Sequence, residues 1–192
     1  MSSHVSVSPR QSLNPRQAET AARLLAAGRE ELEAVGHEAL TVRSVALRAG
    51  VSPATAYTYL ASKNHLFAEL FWRFLTEDEH PGPVGDTPLA RVRSVIERLS
   101  EQLASAPKLA AAVTPALLGS DPDVERLRLR IGAELVGRFR SALGEDADPA
   151  LVEAIALAFS GALLQSGMGL LGYTEMKERL DAVVAVIMRG NT

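Results

Sequence analysis

Five times in this chain a residue able to cap a helix is followed at once by proline: Asn14-Pro15, Ser52-Pro53, Thr87-Pro88, Asp121-Pro122 and Asp148-Pro149. The oxygen of such a side chain accepts from the free backbone N–H groups of a first helical turn. Proline in that turn forfeits no hydrogen bond and brings a φ already set for the helix. Five such starts predict five helices. Strand signals are nearly absent, because no segment sustains apolar/polar alternation with β-branched enrichment. Apolar spacing and breakers predict helices at about 15–35, 42–49, 53–60, 63–76, 88–105, 107–118, 122–143, 149–171 and 174–189. The expected fold is all-α, with about nine helices.

Of the 192 residues, 47% are hydrophobic, enough for a substantial core. There is no cysteine, so disulfides, thiolate metal sites and cysteine nucleophiles are excluded, as suits a reducing cytoplasm. Residues 1–73 hold eight Lys/Arg against six Asp/Glu, while the remainder holds twelve against seventeen. That asymmetry fits a chain whose front part alone meets a polyanion. The start, "MSSHVSVSPRQS", has no apolar run and does not read as a signal peptide. Residues 154–174 carry no charge and are long enough to span a bilayer. Ser160, Gln165, Ser166 and four glycines lie within them, so a buried helix of a bundle is the expectation and no membrane partner is. The acidic, Pro/Gly-rich run at 77–88 breaks the helical pattern. It divides the chain into an arm at 1–13, a domain at 14–76, a linker at 77–87 and a second domain at 88–192.

Two short helices meet around "AGVS". Thr41 is placed to cap the first, Gly50 to end it with a positive φ, and Ser52 to cap the second. Val45, Ala46, Ala49, Val51 and Ala56 fall where two crossed helices touch, and Ala46 is small where the backbones come closest. This is a helix-turn-helix layout. The stretch "LTVRSVALRAGVSPATAYTYLASKNHLFAEL" at 40–70 resembles the DNA-binding domain of the TetR family of bacterial transcriptional regulators. Thr41, Val45, Ala46, Ala49, Gly50, Val51, Ser52, Thr55, Tyr57, Tyr59, Lys63 and Leu66 fit that family's pattern. Ala54 stands where glycine is usual, Leu60 where phenylalanine is usual, and Ala56 is smaller than the usual Leu or Ile. The motif-level resemblance covers 15–76; more weakly, 106–189 resembles the ligand domains of actinobacterial steroid- and lipid-catabolism repressors.

The second short helix begins with unpaired N–H groups and the positive end of a dipole, which suits it to lie against DNA. Pro53, Ala54 and Thr55, just after the cap Ser52, are candidates for base edges, and the Thr55 methyl can meet a thymine methyl. Tyr57, Tyr59 and Lys63 fit phosphate contacts that set register. Tyr59 has a second option, facing the domain core. The resemblance implies that Arg43 reaches a guanine and that Thr41 bonds a phosphate.

In the second half, Leu103, Val113, Leu117, Phe139, Phe159 and Leu163 are candidates for an effector pocket. Without a charged cluster, an apolar or amphipathic effector is expected. The resemblance implies a homodimer joined by the last two helices. One candidate stripe there is Ile155, Ala158, Ala162 and Gln165, and the other is Leu180, Val183, Val184 and Ile187. "GMGLLG" at 167–172 spells a dinucleotide motif but has no strand before it, so its glycines are expected to allow close helix approach or to end a helix. His4, His37, His65 and His80 lack metal-ligand spacing, and no catalytic set is present. The arginines of 125–140 are expected on solvated faces. The sequence thus reads as a DNA-binding regulator, a ligand-responsive TetR-type repressor of double-stranded operator DNA with no cofactor, no metal and no enzymatic role. The alternative is a helical ligand-binding or protein-interaction bundle with a degenerate helix-turn-helix.

Overall fold

The computed structural model describes residues 14–77 and 82–189. Among them are nine helices and no strand: α1 (Pro15–Ala39), α2 (Val42–Arg48), α3 (Pro53–Tyr59), α4 (Lys63–Thr76), α5 (Pro88–Ser105), α6 (Pro107–Leu118), α7 (Pro122–Leu143), α8 (Pro149–Gly167) and α9 (Tyr173–Arg189). The expected arm at 1–13, with His4, and the linker residue His80 lie outside the described residues.

All five cap–proline pairs open helices. The side chains of Asn14, Ser52, Thr87, Asp121 and Asp148 each accept from a backbone N–H of the first turn, with proline beside them. Glycines set the two ends that differ most from expectation. Gly36, at φ 76, breaks α1 near its end, and the residues up to Ala39 follow the kink. Helix α8 stops at Gly167 rather than at 171. Gly169 turns to φ 73 there, and the N–H groups of Gly169 and Leu170 bend back to the carbonyls of Ser166 and Gln165. Gly167 itself lies so close to Thr114 on α6 that a Cβ would collide with the threonine side chain. The glycines of 167–172 therefore serve both expected purposes, close approach and helix termination.

One continuous apolar core runs from Leu24 to Met188. Helix α4 joins its two ends. It buries Leu66, Phe67, Leu70, Phe71 and Leu75 and packs against α1, α6 and α7. Each such burial contributes about 1.5–3 kcal/mol, so α4 moves only together with the helices it touches. The break at 77–87 interrupts the chain without dividing the core.

Several helix ends are closed by long side chains from neighbouring helices, because the last carbonyls of a helix have no partner within it. Arg128 donates to Leu117 O at 2.6 Å and to Gly119 O at 2.5 Å, closing α6. Arg91 donates to Ala142 O at 2.7 Å, near the end of α7. Gln102 donates to Phe74 O at 2.6 Å, and Arg138 donates to Leu75 O, both in the last turn of α4. Arg130 lies 4.2 Å over the Trp72 ring. The arginines of 125–140 are thus divided. Arg126 and Arg140 are exposed as expected, but Arg128 and Arg138 are half-buried and serve as caps. Alternation in sequence could not reveal this, since the acceptors belong to other helices.

The apolar helix at 149–167 is not the buried rod expected. Its most apolar stretch is only 22% buried. One stripe (Val152, Ile155, Phe159, Ala162, Ser166) is buried in the core, Leu151, Ala156, Ala158 and Leu163 flank it half-buried, and Leu157 and Gly161 are exposed.

Candidate nucleic-acid interface

Helix α2 starts on a capping box in which Thr41 Oγ1 accepts from Ser44 N–H at 3.0 Å and Ser44 Oγ accepts from Thr41 N–H at 3.2 Å. It ends where Gly50 takes φ 65, a value that L side chains rarely adopt. There the N–H groups of Gly50 and Val51 return to the carbonyls of Leu47 and Ala46. This turn aims α3 across α2, and Ala46 and Ala56 are fully buried at the crossing. The small side chains expected at the crossing are where the backbones meet.

Helix α1 holds the pair in place. Arg23 donates to Ala49 O at 2.5 Å, fixing the turn. Arg48 grips the buried Glu31 at 2.7 Å through Nε and Nη2. The guanidinium, with a further contribution from Ser44, holds the Glu31 carboxyl below its ordinary value of 4.5 against the opposing effect of burial.

Around the start of α3, Thr41, Arg43, Ser52, Pro53 and Ala54 are all exposed. Tyr57 is 50% exposed. Thr55 is half-buried; its N–H donates to Ser52 Oγ at 3.0 Å, and the two hydroxyls lie 2.8 Å apart. The cap and the base-edge candidate therefore form one hydrogen-bonded unit. Thr58, exposed and not anticipated, donates to Ala54 O at 3.1 Å.

Two of the residues expected at phosphates also have partners within the chain. Lys63 Nζ donates to His37 O at 3.1 Å and to Glu38 O at 3.2 Å, tying the start of α4 to the end of α1. Its nearest acceptors come from the kinked end of α1, which the sequence spacing does not bring near. Tyr59 is half-buried and packs against the core, the second of its two options.

Over residues 24–70 the chain matches the family model for bacterial regulatory proteins of the tetR family. A helix-turn-helix-type transcriptional regulator of Mycobacterium tuberculosis is 44% identical over 181 residues, covering 93% of this chain and 85% of its own length. The chain belongs to the TetR family. This TetR-family regulator is also 27% identical over 160 residues to the repressor KstR of Rhodococcus jostii, covering 80% of this chain and 75% of that one. Its fold is that of a TetR regulator from a Rhodococcus species, with TM-score 0.77, 19% identity and 90% of this chain and 96% of that one covered. It is also that of Thermus thermophilus FadR solved with lauroyl-CoA, with TM-score 0.67, 19% identity and coverage of 88% and 94%. These relatives are regulators of transcription rather than enzymes. Among the described residues no His, Asp or Glu group could hold a metal ion.

The pocket candidates of this TetR regulator belong to the apolar core or border it. Leu103, Val113, Phe139 and Phe159 are buried in the packed core, with Phe139 and Phe159 in ring contact at 5.5 Å, and Leu117 and Leu163 pack against its edge. A side chain that fills a core and one that lines a pocket are equally apolar, so spacing could not separate them. A cleft of about 250 Å³ opens instead between α5 and α7, over Val95, Arg98, Leu99, Gln102, Gly137 and Arg138.

The expected dimer stripes divide in the same way. Ile155, Ala162, Leu180 and Val184 are buried within the single chain. Ala158 and Ile187 are half-buried against its core. Only Gln165 and Val183 of the eight are exposed. The outward faces of α8 and α9 carry Leu157, Gly161, Gln165, Met168, Val183 and Val186 instead. The most regular apolar face of each helix is the one its own core claims.

Proposed function

We propose that this TetR-family chain is a homodimeric, ligand-responsive repressor that binds double-stranded operator DNA in the bacterial cytoplasm. The observation that carries the DNA reading is the exposed set Thr41, Arg43, Pro53, Ala54 and Tyr57 around the start of a helix clamped onto α1 through Arg23 and Arg48. In this reading Arg43 takes a guanine bidentately, while Pro53, Ala54 and the Thr55 methyl meet base edges. Thr41 and Tyr57 bind phosphates and set register. Lys63 and Tyr59 support the reading helix from behind.

The outward face of α8 and α9 supports the dimer. Leu157 is 65% exposed and Val186 60%, and apolar side chains gathered on two adjacent helices fit a self-complementary, two-fold seam. Gly161 on that face has open space around it, which suits close approach of a second helix. Two reading heads joined this way engage half-sites about one helical turn apart. An effector shifts operator affinity only by its differential affinity for the two dimer states. The resemblance to KstR, a repressor, and to FadR, solved with lauroyl-CoA, supports repression and an amphipathic effector.

A gel shift on the DNA upstream of the chain's own gene, run across a salt series, tests this. Specific binding over random DNA, falling steeply with salt, is expected. Arg43→Ala should cost roughly 1–3 kcal/mol and relax preference at one base position, whereas Tyr57→Phe should weaken all sequences alike. Binding without preference at any salt would return the chain to a bundle with a degenerate helix-turn-helix.

A further inference from the structure

The cleft between α5 and α7 is lined by apolar Val95, Leu99 and Pro83, by the cationic Arg98 and Arg138, and by one carboxylate, Glu134. Arg98 donates to Gly82 O at 3.1 Å, and among the described residues no carboxylate pairs with it. Arg138 pairs with Glu134 at 2.9 Å. Gly137 lies mid-helix at the same cleft, and an added Cβ there would meet nothing within 4 Å. Glycine weakens a helix interior, so its presence leaves open a space that any other residue would narrow.

The walls of this cleft also hold α4. Gln102 and Arg138, which line it, donate to the carbonyls of Phe74 and Leu75 at the end of α4. At the other end, Ser62, which caps α4, donates to Asp121, which caps α7, at 2.6 Å. Helix α3 ends at Tyr59, three residues before that cap. A group that draws Arg138 or Gln102 away therefore removes two polar ties from the far end of the helix on which the reading helix is mounted, while Phe71 and Leu75 keep that end packed on its neighbours.

We propose that this cleft binds a small amphipathic carboxylate, which sets its chain on Val95 and Leu99 and its head on Arg98. The head competes with the α4 carbonyls for Arg138 and Gln102, so that binding shifts α4 together with the helices it packs against and releases operator DNA. The proposal rests on the reading of the chain as a ligand-responsive regulator and names the site and class of its effector. The cleft volume suits a short chain rather than a bulky conjugate. A carboxylate supplies the planar pair of acceptors that guanidinium groups bind best.

The single tryptophan, Trp72, lies on α4, so its fluorescence reports directly on the element said to move. The full chain is titrated with sodium octanoate, octan-1-ol and octyltrimethylammonium. A saturable change with octanoate is expected, with affinity at least tenfold weaker for the other two probes. Arg98→Ala should lose at least tenfold, Arg98→Lys should recover part of that, and Gly137→Leu, for which the structure has room, should abolish the response. Octanoate should also release DNA in the gel shift. No saturable response in the unaltered chain, an equal response to the alcohol, or an undiminished response in Gly137→Leu would each overturn the site. A chain that shifts operator DNA but ignores octanoate overturns this inference alone. A chain that answers octanoate but shows no preference among DNA sequences overturns the regulator reading and leaves the site standing.

Discussion

The α2–α3 pair and the α8–α9 pair each bury one apolar stripe, but their outward faces are of opposite kinds. The first presents Arg43, Ser52, Pro53, Thr58 and Tyr57, with Leu47 as its large aliphatic exception. The second presents Leu157, Met168, Val183 and Val186, with Glu153, Glu178 and Arg179 also exposed on the same two helices. A polar face at the positive end of a short helix satisfies its N–H groups with a polyanion. An apolar face gains only by leaving water, and a second copy is the surface that matches it. In the proposed reading the DNA meets the first face and a second copy of the chain meets the second.

The largest effect expected of the tests below lies in the core that both pairs lean on. Phe139→Ala should cost about 3–5 kcal/mol in urea unfolding, because Phe139 is fully buried against Phe159. A much smaller loss would show that these rings border an open pocket after all. Leu157→Glu should raise the dimer dissociation constant about a hundredfold, close to 2.7 kcal/mol, in sedimentation equilibrium. It should leave the unfolding of the single chain within about 0.5 kcal/mol. An unchanged dimer would move the seam elsewhere.

On the reading head, Glu31→Gln should remove about 1–2 kcal/mol, less than a fully buried ion pair, because the partner Arg48 side chain is 37% exposed. The sign with pH follows from the lowered carboxyl. Its contribution is complete above the ordinary value of 4.5 and is lost as pH falls through the lower folded value. Acid unfolding of Glu31→Gln should therefore be shallower there, and equal slopes would remove Glu31 from the clamp. The smallest effect is expected at Ser100 and Ser166, whose buried hydroxyls have no hydrogen-bond partner among the described residues. Replacing either by alanine should be neutral or stabilising by up to about 1 kcal/mol in thermal unfolding. A clear loss at either would mean that its hydroxyl has a partner in solution.

The reading head was legible in the sequence because its signals are local. A cap, a proline and a glycine act within one turn of themselves, so Thr41, Gly50 and Ser52 reveal the helices without knowledge of the rest. Even there, Lys63 escaped, since its acceptors at His37 and Glu38 are carbonyls of a kinked helix end. In the bundle the same apolar letters stand for core, cleft or seam. Nothing in Phe159 or Ile155 says whether its neighbour is another side chain of the chain, an effector or a partner. The cleft over Arg98 was also invisible, because it joins one face of α5 to one face of α7 across the molecule. Gly137 marks it only weakly, because Gly132 is a second glycine in the interior of the same helix.

By itself, then, the sequence determined an all-α chain, where its helices begin, and a helix-turn-helix with its turn and its DNA-facing end. Capping and φ preferences are short-range, and five prolines and a few glycines are enough to express them. The tertiary structure decided which apolar faces close on each other and which stay open, which arginines cap and which are exposed, and how α4 ties the cleft to the reading helix. Those are matters of packing, in which a side chain's role depends on what another helix brings to it.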